Sequence, residues 1–225
     1  MLSNVRWAQD LAANGDLRPT LPGTDAELSA SSPPMIGERS ACVRAALVAL
    51  AQRQLLCALR EGPFGALTAN AVIERALRKA WRIGANTEWY AGRAVIVTRN
   101  DYAARLFNGD VGICLADGDG RLRVWFEAPG SHGAVRSFAP NTLPLHEGAF
   151  AITIHKSQGS EYERAAVLLP PDSENRILSR QLLYTAVSRA RRGIDLWVTP
   201  AALETALRRP IARQGGLRDR LESEG

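Results

Sequence analysis

The chain has 225 residues, a formal net charge of +5 and a pI near 9.6. That length suits one domain or one and a half, and the basic balance permits nucleic-acid binding. No apolar run is long enough for a membrane span, and residues 1–6 lack the apolar core of a signal peptide. Cys42, Cys57 and Cys114 are odd in number and far apart, which argues against a disulfide framework or a Cys-x-x-Cys metal site. The expectation is a reduced, cytoplasmic protein with no membrane partner.

Residues 1–16 read as a short helix with Val5, Trp7, Ala8, Leu11 and Ala12 on one face, ended by Asn14-Gly15. Residues 17–39 are rich in Pro, Ser and Gly and read as a linker. Ser40 is a candidate N-cap for a helix over 41–52 that packs Val43, Leu47 and Leu50. Residues 55–59 form a short apolar strand running into the turn 60–65. An amphipathic helix follows over 66–82, with Val72, Ile73, Ala76, Leu77 and Trp81 on its apolar face. Residues 94–98 read as another strand of the main sheet, and Asn100-Asp101 caps a short helical turn to Phe107.

At Asn108-Gly109-Asp110 the pattern changes to short strands, 111–115, 122–126 and 135–138, separated by Gly/Asp turns. This reads as a small β-barrel or meander spanning 108–147, inserted in the main domain. Asp117, Asp119 and Gly120 lack the other ligand positions of a calcium loop and read as a hairpin turn. Strands at 149–154, 165–169 and 194–198 alternate with helices at 179–190 and 201–208, and the tail from Pro210 reads as frayed. Alternating strands and helices of this kind predict an α/β fold with a parallel sheet.

The stretch 149–161, AFAITIHKSQGSE, carries the chemistry. A buried strand breaks at once into Thr153, His155, Lys156, Ser157 and Gln158, then Gly159 and the carboxylate of Glu161. Hydroxyl, imidazole, ammonium and amide groups after a strand suit phosphate contacts, and such loops sit at the carboxyl edge of parallel sheets. On composition alone an ordinary solvated loop fits equally well. A second stretch, YTAVSRAR at 184–191, follows on a helix. Arg176, Arg180, Arg189, Arg191, Arg192, Arg208, Arg209, Arg213, Arg218 and Arg220 crowd the last fifth of the chain. They read either as a solvated face or as a surface that meets DNA or ATP phosphates.

Together, TIHKSQGSE and YTAVSRAR resemble motifs V and VI of superfamily 1 DNA helicases, most closely those of the RecD family, the alpha subunits of exodeoxyribonuclease V. Residues 55–65, 97–101 and 108–112 resemble the same family, so the likeness spans about 5–200. The resemblance implies the second, RecA-like helicase domain, a parallel sheet of the P-loop NTPase fold without the P-loop, carrying an inserted SH3-like β-barrel. The implied divisions are an N-terminal helix and linker (1–39), a first part of the RecA-like domain (40–107), the barrel (108–147), a second part with motifs V and VI (148–209) and a flexible tail (210–225). It further implies ATP with Mg²⁺ in a cleft shared with a P-loop domain, single- and double-stranded DNA, and the beta and gamma subunits as partners.

By motif position, Arg189 is implied to point at the γ-phosphate as an arginine finger. Gly159 and Glu161 are implied to hold the nucleotide, Glu161 on its ribose. Thr153, His155, Lys156, Ser157, Gln158 and Thr185 lie where the family couples ATP to the DNA backbone, with Ser188 on the same path. Arg60, Asn100 and Arg99 are weaker DNA-side candidates; Asn108 and Gly109 read as a turn. Arg191 and Arg192 read as cations at a helix C-terminus. No Gly-x-x-x-x-Gly-Lys-Ser/Thr and no strand ending in Asp-Glu occurs in the chain. The family's Tyr-Arg-Phe element would precede Met1. The implied activity is ATP-driven 5′-to-3′ movement along single-stranded DNA in double-strand break repair, by a complete protein rather than by this chain alone. Two alternatives are the helicase region of a conjugative relaxase and a non-enzymatic DNA-binding or assembly module from a truncated gene.

Overall fold

The computed structural model describes residues 36–84, 86–130 and 134–209. The expected helix at 1–16 and the tail from 210 lie outside them. In chain order the elements are α1 (Ile36–Gln52), β1 (Arg53–Cys57), α2 (Ala66–Ala80), β2 (Ala94–Val97), β3 (Val111–Ala116), β4 (Leu122–Glu127) and β5 (Val135–Phe138). After a 3₁₀ turn at Pro140–Thr142 come β6 (His146–Gly148), β7 (Ala151–Thr153), β8 (Tyr162–Leu168), α3 (Arg180–Val187), β9 (Ala190–Trp197) and α4 (Pro200–Arg208).

The first sheet is four-stranded and parallel throughout, in the order β7-β1-β8-β9. Both of its faces are covered, which is why residues 55–59, from β1 onward, read as an unbroken apolar run rather than an alternating one. Successive side chains point to opposite faces. Leu56 packs with Ile152, Val167, Leu178, Leu182 and Leu183 on one side. Leu55 and Cys57 pack with Ile73, Leu77 and Ala166 on the other. This is the RecA-like arrangement expected from the sequence.

The second sheet is antiparallel, in the order β5-β4-β3-β2-β6. Here the structure corrects the expected boundary. Residues 94–98 belong not to the parallel sheet but to the antiparallel unit, where β2 pairs with both β3 and β6. The unit therefore runs from 94 to 148 rather than 108 to 147. The cause is the burial of β2 on both faces: Val95 and Val97 pack with Cys114, Val124 and Phe126, while Ala94 and Ile96 face the core of the parallel sheet. A strand that is a wall of two cores has the same uniformly apolar sequence as a central parallel strand.

The helices show two more departures. α1 begins at Ile36, so Ser40 lies inside it and is not its N-cap. Its Val43 and Leu47 pack on Ile113 and Leu115 of β3, and Leu50 packs against the core of the parallel sheet, so one helix fastens both units. In α2 the inward stripe is Ala66, Asn70, Ile73 and Leu77, and Val72 is exposed. The polar member of that stripe, Asn70, is buried for a reason. Its Nδ2 donates to the carbonyls of Ala66 (2.9 Å), Gly148 (3.0 Å) and Ala151 (2.7 Å), and its Oδ1 accepts from the Ala151 N–H at 3.0 Å. Gln54 does the same work from β1, donating to the carbonyls of Ala149 and Phe150, both at 3.1 Å. Two buried amides thus peg the link from β6 to β7 by pairing its buried backbone groups. Gly148 has to be glycine at this point, since a Cβ there would sit 2.9 Å from the Asn70 side chain.

Candidate phosphate-contact site

The motif strand β7 ends where β1 ends: Thr153 pairs with Cys57, and Cys57 pairs with Leu168 at the carboxyl end of β8. The chain then returns over residues 154–161 to begin β8 at Tyr162, the opposite end. Seven residues of β8 at about 3.3 Å each separate the two ends by roughly 20 Å. The motif is therefore split between both edges of the sheet, whereas the sequence reading placed all of it at the carboxyl edge. Gly159 makes the return possible, at φ +87° where a side chain would be strained.

At the carboxyl edge the turn is braced from inside. Thr153 Oγ1 accepts from the Lys156 N–H at 3.2 Å, and Ser157 Oγ donates to the Ile154 carbonyl at 2.7 Å. Ser157 is wholly buried, so it shapes the turn and does not face a ligand, contrary to its assignment as a DNA contact. His155 and Gln158 are exposed. Cys57 beneath the turn is a neutral thiol, its pKa pushed up to about 12 by burial.

Lys156 and Arg60 are brought together by a residue that the sequence did not single out. Glu147, on β6, accepts from Lys156 Nζ at 2.7 Å with one oxygen and from Arg60 at 2.8 Å with the other. Arg60 also pairs with Glu61. Burial alone would raise the Glu147 carboxyl, but the hydrogen bonds and charges of Lys156 and Arg60 hold it below the usual carboxylate range. Nothing marks Glu147 in the sequence, because its partners lie 87 and 9 positions away. Because the folded-state pKa is depressed, the stabilisation is present above the unfolded value and is lost as pH falls through the folded one. Glu147→Gln should therefore be less stable than wild type at pH 7, with the gap closing below about pH 4. Parallel denaturant titrations across that range check this; a gap independent of pH would assign the effect to packing.

At the other edge, β8 and β9 begin side by side and collect the arginines. Arg191 Nε meets Glu161 at 2.8 Å and Arg192 Nε meets Glu163 at 2.8 Å. Both arginines lie on β9, a strand, not at a helix C-terminus as expected, because α3 stops at Val187 with Ser188 as its cap. Arg189 occupies the turn between them. Its Nε donates to the Thr185 carbonyl (3.2 Å), one terminal nitrogen to the Ser160 carbonyl (3.1 Å) and the other to Ser188 Oγ (3.1 Å). Among the described residues every partner of Arg189 is a neutral oxygen, whereas Arg191, Arg192, Arg60 and Lys156 are each matched by a carboxylate. Arg189 is thus held in place with no carboxylate against it among the described residues.

Beside this edge lies an open cleft of about 730 Å³ lined in part by Arg53, Glu161, Glu163, Arg164, Arg191 and Arg192, a volume suited to a small ligand. Glu161, implied to hold the ribose, is half-exposed here and engaged by Arg191. Thr185 Oγ1 donates to the Gln181 carbonyl at 2.8 Å, bonding back along its own helix. Asn100 lies in the antiparallel unit, on the hairpin that follows β2. Its Oδ1 accepts from the Asn108 N–H at 2.8 Å, so it braces that hairpin. Among the described residues no three His, Cys, Asp or Glu side chains gather as a metal site, and no helix is long and apolar enough to cross a membrane.

Residues 148–196 match the UvrD-like helicase C-terminal domain. Among curated relatives, the RecBCD enzyme subunit RecD of Mycobacterium tuberculosis is 40% identical over 180 residues, 80% of this chain and 30% of that protein. The RecD subunit of Haemophilus influenzae is 39% identical over 75% of this chain and 25% of its own length. The ATP-dependent RecD2 DNA helicase of Deinococcus radiodurans is 32% identical over 76% of the chain and 23% of its length. The chain thus spans between a fifth and a third of these relatives. Among solved structures, two coordinating Pif1 helicases at forked double-stranded DNA align with a TM-score of 0.45 at 21% identity, covering 80% of this chain and 48% of theirs. Bacteroides Pif1 with ADP-AlF3 and single-stranded DNA aligns at 0.44 and 19%, covering 100% and 53%. Scores at that level carry no argument. The sequence relatives, the domain match over the motif region and the parallel sheet agree: this chain is similar to the C-terminal region of RecD subunits.

Proposed function

We propose that this chain is the second motor domain of a RecD-type helicase and completes an ATP site together with a P-loop domain. The observation that carries the reading is Arg189, a guanidinium fixed by three neutral acceptors and matched by no carboxylate among the described residues. A rigid, planar, uncompensated cation suits the equatorial oxygens of a transferring phosphoryl group. ATP would bring the phosphate charge that Arg189 meets. Mg²⁺, in this reading, is held by the partner domain.

The return turn 154–161 links the two edges mechanically. One end shares the Ser160 carbonyl with Arg189; the other carries Lys156, paired to Glu147 beside Arg60. A change at Arg189 on nucleotide binding is transmitted along this turn to the cations at the carboxyl edge, where the DNA backbone would lie. His155 and Gln158, both exposed on the turn, are the further side chains able to meet that backbone. In the complete protein this coupling would drive 5′-to-3′ movement along single-stranded DNA in double-strand break repair, beside the beta and gamma subunits of exodeoxyribonuclease V.

Reconstitution tests the proposal. The chain mixed with or fused to a RecD-type P-loop domain should hydrolyse ATP with stimulation by single-stranded DNA, and neither part alone should. Turnover by the P-loop domain that is indifferent to this chain would refute it.

A further inference from the structure

Residues 98–109, between β2 and β3, form a hairpin that the proposed ATP chemistry does not use. Its frame is heavily fixed. Asp101 and Leu106 exchange backbone hydrogen bonds at 2.7 and 2.9 Å, and the Leu106 side chain is fully buried in the antiparallel core. Asp101 Oδ1 accepts from the Ala104 N–H at 3.0 Å, and Asp110 Oδ2 from the Phe107 N–H at 2.9 Å. From β5, Arg136 donates to the carbonyls of Ala104 (2.7 Å) and Arg105 (2.6 Å). Arg105 is held at φ +51°, a region that non-glycine residues rarely adopt.

This rigid frame exposes two aromatic rings. Tyr102 is 76% exposed and Phe107 40%, and their rings meet edge to face with centroids 6.1 Å apart. Asn100 Nδ2 donates to the Tyr102 hydroxyl at 3.3 Å, fixing the ring further. The hairpin's carboxylates are turned to internal use: Asp101 caps the turn, and Asp110 serves Phe107 and Arg136. Arg99 and Arg105 are exposed, with no carboxylate partner among the described residues. Fixed rings in water beside unneutralised guanidinium groups are complementary to a ligand with flat faces and negative charge.

We propose that Tyr102 and Phe107 form a base-stacking platform for single-stranded DNA, with Arg99 and Arg105 on the adjacent phosphates and Asn100 as the residue that positions Tyr102. This rests on the DNA-motor reading and adds a contact in the antiparallel unit, away from the Lys156 edge. Stacking on aromatic side chains is indifferent to sequence, as a translocating motor requires, and pre-fixed rings lose little freedom on binding.

The test uses the present chain and fluorescence anisotropy with two labelled strands of equal length, oligothymidylate and a strand of abasic sites. Tyr102→Ala and Phe107→Ala should each weaken oligothymidylate binding about tenfold and leave abasic binding as in wild type. Tyr102→Phe should retain most of the affinity, since it keeps the ring. Melting temperatures should match wild type, because both rings are exposed. If the alanine variants bind both strands as wild type does, the platform is wrong and the rings serve a protein partner. If wild type binds neither strand, the DNA reading itself fails and the platform with it, a distinguishable result.

Discussion

Arg189→Ala is expected to lower DNA-stimulated ATP turnover by on the order of a thousand-fold or more in a complete enzyme, while leaving the melting temperature nearly unchanged. The two effects separate because of where Arg189 sits. It follows the α3 cap and makes three hydrogen bonds to neutral oxygens near the surface. Two of these are backbone carbonyls that water can serve instead, so the stability cost should stay within about 1 kcal/mol. Under the proposed function, the functional cost is that of an unmet developing charge on a phosphoryl group. Arg189→Lys sharpens the test. Lysine keeps the charge but loses the fork that reaches Ser160 and Ser188 together with a ligand, so it should restore little. Turnover, ATP affinity and thermal melting of wild type and both variants decide the matter. Turnover within a few-fold of wild type, or a decline matching lost stability, would make Arg189 a structural residue.

Asn70→Leu is expected to have the largest effect on stability, about 3 kcal/mol or more. Leucine is close in size, so the change removes hydrogen bonds without opening a cavity. It leaves the Gly148 carbonyl and both backbone groups of Ala151 without the amide that serves them. Each buried group stripped of its partner costs about 1–3 kcal/mol. For a chain of this size that corresponds to a fall in melting temperature of about 10 °C. Gly148→Ala should also destabilise, because its Cβ would press on Asn70. In an Asn70→Ala background that second change should cost much less, and this non-additivity is measurable in a double-mutant cycle. Melting of Asn70→Leu like wild type would show that Gln54 alone holds the link between the sheets.

Much of the chain could be read from its residues because the governing forces are local. The turn at Asn108-Gly109-Asp110, the strands after it and helices α2 and α4 follow from turn chemistry and apolar periodicity. The motif stretch and the YTAVSRAR segment were recognisable by their resemblance to a helicase family, and residues 148–196 match the UvrD-like helicase C-terminal domain. The buried face of α3, Leu182, Leu183 and Ala186, follows its helical period, but Val187 does not: at the last turn it is 41% exposed.

What the sequence could not determine depends on contacts between distant segments. β2 looked like a parallel strand because both of its faces are buried, and only tertiary pairing shows that it belongs to the antiparallel sheet. Arg191 and Arg192 looked like helix-end cations because the α3-to-β9 boundary is set by pairing with β8, which draws Ala190 into line with Tyr162. Glu147, Gln54 and Asn70 carried no motif, yet they join the two units. Their partners are 87, 95 and 78 residues away, and no local pattern encodes a hydrogen bond across such a distance. Amino-acid type thus named the groups proposed to meet phosphate. The crossing of the return turn from one sheet edge to the other decided which of them stand together, because a strand of seven residues separates Lys156 from Arg189.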